Sequence, residues 1–395
     1  MRILVIHQLP YRKADYARAV DHGRHEVTYI GRRDRLADLP PGLECRRVEI
    51  PADEDFVEGV ITRTSRDDGY DEVVSLSEFG VLAVCRVRAH LGIEGPTLEQ
   101  AERVHDKVRM KENLLGSGVR HPRFLRAPST GVLPPWSGKT VLKPRRGTCS
   151  EGVRVFPTVR EALAAHRGLD DPESFELEEY IAGDILHADG LVRDGRLLHC
   201  VVSKYVNKPV DFAHGIPLGS HQIPPDARHR KFVARVVEVL RIESGSFHLE
   251  FFETPEGEPV FLEIANRMGG AGVVTAHLRH TGIHLPSHEI ALLLGTAPPR
   301  PAAPTGRFHG WLVFPGHHLR PHTGWTVTVP PQLRDHPCVD RIHTLGPGAE
   351  LPDHITYQEW LVPVAVEASH RDPDVLAGFL QECAAAISVR VEEAA

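Results

Sequence analysis

Apolar residues fall in short, dense runs along the first hundred positions: residues 2–7 (RILVIH), 27–30 and 73–77 (VVSLS). Such β-branched runs read as strands, and helix-like stretches follow the first and last of them, so the pattern predicts a parallel α/β layer. The first run leads into HQLPYRK rather than GxGxxG, so the dinucleotide fingerprint is missing and the layer by itself specifies no ligand. At Thr97 the period changes. Thr97 and Gln100 fit a capping box, and Leu98, Ala101, Val104 and Val108 recur at helical spacing until Gly116 and Gly118, which predicts one helix and a domain boundary near residue 95.

From residue 140 to about 264 the signals are mostly strands and hairpins, with helices predicted near 159–166 and 229–240. The tract TAPPRPAAPTG (296–306) blocks regular structure and reads as a linker. Beyond it, strands are predicted near 311–314 and 360–366 and a helix near 375–388.

The segment GSFHLEFFETPEGEPVFLEIANRMGGAG (245–272) is the most informative. Two apolar runs flank the turn residues Pro255, Glu256 and Gly257, which predicts a β-hairpin. A turn centred between Glu256 and Gly257 sets Glu250 opposite Glu263 and Phe252 opposite Phe261, with Leu249 and Phe251 meeting Ile264 and Leu262 on the other face. Two facing carboxylates repel each other, and apolar neighbours keep water from relieving them, so a cation is expected between them. A hard divalent ion with oxygen ligands meets that need, whereas a hairpin with one face in water would merely solvate both groups. Asn266 follows with an amide oxygen, and Arg267 with a guanidinium suited to phosphoryl or carboxylate oxygens. Gly269 and Gly270 permit a close backbone approach.

Residues 138–156 (GKTVLKPRRGTCSEGVRVF) read as a strand, a glycine-bounded loop and a returning strand. Backbone N–H groups of such a loop can cradle phosphate oxygens and Lys143 can add a point charge, although an ordinary surface turn has the same composition and no Walker pattern is present. Lys107 lies on the predicted helix. A bent strand at 175–195 carries Glu179, Tyr180 and Ile181 before Gly183, with Asp184 beyond.

The 395 residues are 41% hydrophobic, and 53 acidic against 46 basic residues leave a charge of −7, which argues against nucleic acid as a partner. Without an apolar run of about 18 residues or a cleavable leader, neither membrane insertion nor export is expected, and a cytoplasmic location follows. Six scattered cysteines suggest reduced thiols. His277, His280, His284 and His288 tempt a metal reading, but Thr281, Gly282, Leu285 and Pro286 break the helix that would align them, so structural roles are expected.

In this order, DK (Asp106, Lys107), VLKP with its small-residue loop, LEEYIAGD (177–184), HLEF around Glu250 and LEIANRMGG from Glu263 through Arg267 resemble the ATP-grasp superfamily, specifically its carboxylate–amine ligases of the amino-acid and peptide ligase kind. The resemblance implies an α/β and α+β protein. Its parts would be an N-terminal parallel α/β domain (1–96), a two-lobed ATP-grasp core (97–295) with a lid at about 122–181, the linker (296–306) and a C-terminal α+β subdomain (307–395).

It further implies ATP between the lobes. Lys107 and Lys143 would meet its phosphates under a loop containing Arg145, Gly147, Ser150 and Gly152. Glu179, Tyr180 and Ile181 would hold adenine and Asp184 the ribose. Glu250, Glu263 and Asn266 would bind Mg2+ or Mn2+, with Arg267 and Lys143 catalytic. Many relatives carry Glu-x-Asn as the second metal motif, whereas Ala265 intervenes here. Residues 203–224, with Lys204, Lys208 and His214, are expected on the acceptor side, along with Gly269 and Gly270. The implied partners are a small-molecule carboxylate and an amine, with a homodimer as the assembly considered. The implied product is an amide or peptide bond, formed through an acyl phosphate with release of ADP and phosphate. The alternatives are a bicarbonate-using carboxylase-type enzyme and a non-catalytic nucleotide-binding module.

Overall fold

The computed structural model describes residues 1–77, 80–126, 132–319, 324–346 and 349–391. Residues 127–131 of the expected lid, and 320–323, 347–348 and 392–395 of the C-terminal segment, lie outside these.

The first apolar runs pair in parallel as predicted. Strands β1 (Arg2–Ile6), β2 (Glu26–Gly31), β3 (Arg46–Glu49) and β4 (Glu72–Val74) form one sheet in the order β3-β2-β1-β4. The single helix expected after Thr97 is two. The capping box forms, but its helix ends at Glu102 and a second begins at Lys107. The cause is Asp106, whose carboxylate caps Val108 N (3.0 Å) and Arg109 N (3.2 Å) while accepting from Arg145 Nη2 at 2.8 Å. A tertiary ion pair thus overrides the local periodicity, and it sets Lys107 at the first turn of a new helix.

A second sheet contains β5 (Phe124–Arg126), β6 (Thr140–Pro144), β7 (Arg154–Phe156) and β8 (Phe175–Glu179), all antiparallel, in the order β5-β8-β6-β7. The helix Val159–Arg167 closes its small core of Trp136, Leu142, Ala162 and Leu177.

The largest sheet joins β9 (Asp184–Arg193), β10 (Arg196–Tyr205), β11 (Leu218–Gln222), β12 (Gly245–Glu253), β13 (Pro259–Ala265) and β14 (Phe308–Val313). After β15 (Trp325–Thr328), which pairs with the last strand β18 (Ser388–Val391), the strands β16 (Val339–Thr344) and β17 (Val364–His370) complete it. Its order is β13-β12-β9-β10-β11-β14-β17-β16. The proline tract therefore does not separate two sheets: β14 pairs directly with β11, and Thr305 N donates to Arg279 O at 3.1 Å.

One face of β12 carries Phe247, Leu249 and Phe251, buried with Phe261 and Ile264 against Val233, Val236, Val237 and Leu240 of the helix Ala227–Leu240. This pins the hairpin register, because a one-residue slip would turn the apolar set away from its partner helix. The other face is left for chemistry.

Candidate active site

The hairpin brings Glu250 directly opposite Glu263, as the turn arithmetic predicts. Beyond that pair the register shifts by one, so Phe251 faces Phe261 and Phe252 faces Val260. The expected pairings of Phe252 with Phe261 and of Phe251 with Leu262 are thereby corrected. A β-bulge is the reason: its extra residue places Leu262 and Glu263 together along one cleft.

That cleft, of about 120 Å³, is lined by Lys107, Lys143, Gly147, Ser150, Gly-flanking residues of the same loop, Tyr180, Ile181, Glu250 and Glu263. Val141, Val155, Ile185, Phe252 and Leu262 add apolar walls. Residues from five distant motifs thus meet in one place. Lys107 spans it: its Nζ donates to Gly147 O at 2.9 Å and lies 3.2 Å from Glu263 Oε2.

Lys143 is buried with an unanticipated partner set. Its Nζ is 2.8 Å from Glu178 Oε2 and 3.9 Å from Glu176 Oε1, while Lys111 Nζ is 2.7 Å from Glu176 Oε1 and also contacts Glu178. Burial works against the Lys143 charge, but Glu178 and Glu176 more than offset it and push the ammonium up to about 12. Burial likewise drives Glu176 upward, whereas at Glu178 the two lysines overcome burial and hold the carboxyl well below its usual range. Four charges of balanced sign therefore fix the position of Lys143 beside the cleft.

The loop after β6 needs left-handed backbone at Gly147 (φ 115°), Cys149 (φ 59°), Ser150 (φ 55°) and Gly152 (φ 72°). Glycine adopts this freely, whereas each non-glycine residue there stores of order 1–3 kcal/mol of strain. Arg145 does not turn to the cleft. Its guanidinium is held by Asp106 and by Glu173 O (3.3 Å), and Arg146 lines the cleft instead.

At the other end, Glu179 points its carboxylate out to Arg123 Nε (2.8 Å) and Nη2 (3.1 Å). The N–H groups of Glu179 and Tyr180 are engaged by Arg123 O and Lys139 O, at 2.9 and 3.2 Å. The Tyr180 hydroxyl accepts from Lys208 Nζ at 3.0 Å. Lys208, expected on the acceptor side, therefore lines the same cleft as Tyr180. Asp184 and Lys204, given separate roles from the sequence, pair with each other at 2.7 Å and do not line the cleft. His214 is exposed on the connection before β11.

Asn266 corrects the expected third metal ligand. Strand alternation turns it to the face opposite Glu263, where its Nδ2 donates to Ser246 O at 2.8 Å and it lines a different cavity with Glu289. Arg267 is partly buried and donates to Met268 O at 2.8 Å. Gly270 is exposed and open, but Gly269 is tight: a Cβ there would lie 2.5 Å from Asp189 Oδ1 and 2.9 Å from His248 Nδ1.

Those last two side chains belong to a network that the sequence reading missed. Tyr205 OH donates to Glu250 Oε1 at 2.6 Å, and His248 Nε2 is 3.5 Å from the same oxygen. His248 Nδ1 donates to Asp189 Oδ1 (2.8 Å), His187 Nδ1 to Asp189 Oδ2 (2.5 Å), and His187 Nε2 meets Ser220 Oγ (2.8 Å). Burial disfavours the imidazolium of His248, but Asp189 and Glu250 prevail and push it up to about 10. At Asp189 the two imidazoles likewise overcome burial and hold the carboxylate far below its usual range. The available signal was polar residues at every second position of apolar strands: His187 and Asp189 on β9, His248 and Glu250 on β12.

The donor set suits a hard divalent cation. Two carboxylates face each other across a strand pair, Glu250 with one oxygen engaged and Glu263 with Lys107 at 3.2 Å and the Lys143 charge nearby. The four histidines near residue 280 do not join it: His277, His280 and His288 bond backbone carbonyls and His284 bonds Ser287. None of the six cysteines is in a disulfide. Among the described residues no helix is long and apolar enough to cross a membrane.

This architecture, a parallel layer followed by antiparallel sheets, is the ATP-grasp fold, the fold that the motifs imply. The crystal structure of an L-amino acid ligase from Bacillus licheniformis matches with a TM-score of 0.74 at 20% identity, over 99% of this chain and 98% of that one. The L-arginine-specific L-amino acid ligase of Bacillus subtilis is 27% identical over 218 residues, 52% of this chain and 53% of that protein, so the match spans about half of each. The biotin carboxylase domain of the Hydrogenobacter thermophilus 2-oxoglutarate carboxylase, solved with magnesium ADP and bicarbonate, matches with a TM-score of 0.65 at 14% identity, over 99% and 90%. No protein-family model matches the chain.

Proposed function

We propose that this protein is an ATP-dependent carboxylate–amine ligase acting on amino acids or small peptides. The observation that carries the reading is the meeting of Glu250 and Glu263 with Lys107, Lys143 and the glycine-bounded loop along one cleft. The similarity to L-amino acid ligases supports it.

In this reading the sheet β5–β8, within residues 122–181, is a lid over the nucleotide. The apolar walls take the adenine ring, Ile181 and the Tyr180 side chain border it, and Lys107 and Lys143 meet the phosphates. Magnesium or manganese held by Glu250 and Glu263 would neutralise charge developing on the phosphate oxygens. A substrate carboxylate oxygen attacks the γ-phosphorus, the bond to the β-phosphate oxygen breaks and ADP leaves. An amine then attacks the acyl carbon of the acyl phosphate, phosphate departs with the electron pair of the C–O bond, and the amine proton passes to solvent or base. Arg267 stabilises the transferring phosphoryl group or the tetrahedral intermediate. The glycine-bounded loop excludes water, which would otherwise hydrolyse the acyl phosphate.

The test is ADP release measured across pairs of amino acids with magnesium or manganese. Amino-acid-dependent ADP and phosphate in equal amounts is the expected result. Nucleotide binding without substrate-dependent ADP would overturn it, and ADP formation that depends on bicarbonate alone would move the protein to carboxylase chemistry.

A further inference from the structure

Two carboxylates leave a cation short of protein ligands, and strand alternation decides which neighbours can supply more. Along β13, Glu263 and Ala265 share the cleft face while Ile264 and Asn266 take the other. Ala265 has no donor atom, and Asn266 is tied to Ser246. Directly across the strand pair from Ala265 stands His248.

We propose that His248 Nε2 is a ligand of the divalent cation held by Glu250, so that this site takes a nitrogen donor and favours manganese or a similar imidazole-binding ion over magnesium. This rests on the nucleotide-and-cation reading above. The geometry is close to what coordination needs: donors bound at about 2.1 Å to one ion lie about 3.0–3.4 Å apart, and His248 Nε2 already stands 3.5 Å from Glu250 Oε1. The other ring nitrogen donates to Asp189 Oδ1 at 2.8 Å, the carboxylate–histidine arrangement that fixes the ring and raises the basicity of a ligating nitrogen. Gly269 allows the main chain to press against both groups, which holds the imidazole in place. Imidazole nitrogen is a softer donor than carboxylate, so it discriminates against magnesium and in favour of later divalent ions. On coordination the ion replaces the Nε2 proton, which leaves to solvent.

His187 does not compete for the ion at Glu250, because its two nitrogens are engaged by Asp189 and Ser220. The rival location is the buried trio His187, Asp189 and His248, whose donor atoms lie within 4.8 Å of one another. An ion there would have to displace both hydrogen bonds that Asp189 accepts.

The experiment uses the full chain with 15N-labelled histidine, unlabelled ADP and Mn2+, read by pulsed electron spin echo spectroscopy. One histidine 15N coupling is expected, lost in His248→Asn and retained in His187→Asn. Calorimetric titrations with Mn2+ and Mg2+ in the presence of ADP should show the manganese preference falling about tenfold or more in His248→Asn. Adding Ala265→Asn to that variant should restore tight magnesium binding through an amide oxygen. Bound Mn2+ without histidine coupling overturns the proposal, as does a coupling that vanishes in His187→Asn. Mn2+·ADP that fails to bind the wild type, or binds unchanged in Glu250→Gln, removes the cation reading itself, and the titrations show that separately.

Discussion

The small sheet β5–β8 and the acidic face of β9, β12 and β13 both bury charge, but they resolve it differently. In the small sheet, Lys111 and Lys143 balance Glu176 and Glu178 within a closed quartet. On the larger sheet, Asp189 is shared by two imidazoles, while Glu250 and Glu263 face each other with a hydroxyl, one imidazole and one lysine as neighbours. The first arrangement balances its charges without a ligand and positions a lysine. The second gains most from an added positive charge, which is what a cation-binding site requires.

The sharpest way to break this contrast is to remove one carboxylate from the open face. Glu250→Gln and Glu263→Gln each weaken the hold on the cation that would neutralise the phosphoryl group, and turnover should fall about 10³-fold or more, judged by the cost of deleting one preorganised electrostatic contact. Thermal stability should hold or rise slightly in Glu263→Gln, because facing carboxylates repel in the absence of a cation, and should fall in Glu250→Gln, which takes a charge from beside the His248 imidazolium and the Tyr205 hydroxyl. Steady-state ADP release together with melting curves checks both halves. A variant with intact turnover would mean that the hairpin pair serves another purpose.

The closed quartet predicts the opposite pattern. Lys111→Met leaves buried carboxylates under-compensated and should cost about 3–5 kcal/mol, as breaking a buried ion pair does. Its melting temperature should fall by roughly 5 °C or more. Since Lys111 is outside the cleft lining, the folded fraction should keep its ATP affinity. Lys143→Met should show a similar loss of stability together with weaker ATP binding. Equal nucleotide affinities in the two variants would count against a phosphate role for Lys143.

Much of this was readable before any coordinates, because the hairpin is local: five residues lie between the paired Glu253 and Pro259, so the turn fixes the register to within one residue. The Glu250–Glu263 pair is recovered because the bulge offsets a turn centre placed half a residue late, and the bulge itself is missed because no local rule marks it. The quartet and the His187–Asp189–His248 network come from pairings across distant strands, β6 with β8 and β9 with β12, which periodicity cannot align. The break in the helix at Asp106 has the same origin, since Arg145 arrives from the other sheet. Asn266 could have been placed by counting alone: three residues from Glu263 along a strand is an odd step, and an odd step changes face.

A buried carboxyl in a third kind of setting sharpens the comparison further. Among the described residues Glu289 has neither a lysine nor an imidazole beside it; the hydroxyl and backbone of Ser246 bond it, and burial pushes it up to about 7. A carboxyl raised in the folded state keeps its proton while the unfolded chain has lost it between about pH 4.5 and 7. Folding is therefore progressively disfavoured as pH rises through that window, by roughly 3 kcal/mol in full. Glu178, held low by its lysines, has the reverse sign: its contribution is present above the ordinary carboxylate range and is lost only as pH falls toward about 2. Denaturant titrations of Glu289→Gln and wild type should converge at pH 4.5 and separate toward pH 7, with the variant gaining. Parallel curves would show that Glu289 ionises normally.

The smallest effect belongs to the pair that the sequence assigned two separate roles. Asp184 and Lys204 meet at 2.7 Å with side chains 59% and 40% exposed, so water screens them and the pair contributes under about 1 kcal/mol. Asp184→Ala should barely change the melting temperature. Its value lies in the nucleotide: Ile185, the next residue, lines the cleft while Asp184 does not. If lid closure leaves that arrangement unchanged, the Michaelis constant for ATP should shift less than about threefold, and 2′-deoxy-ATP should be used as well by the variant as by the wild type. A large loss confined to ATP would mean that closure frees Asp184 from Lys204 and turns it to the ribose. The open face would then extend one strand residue further than its present charge pairing indicates.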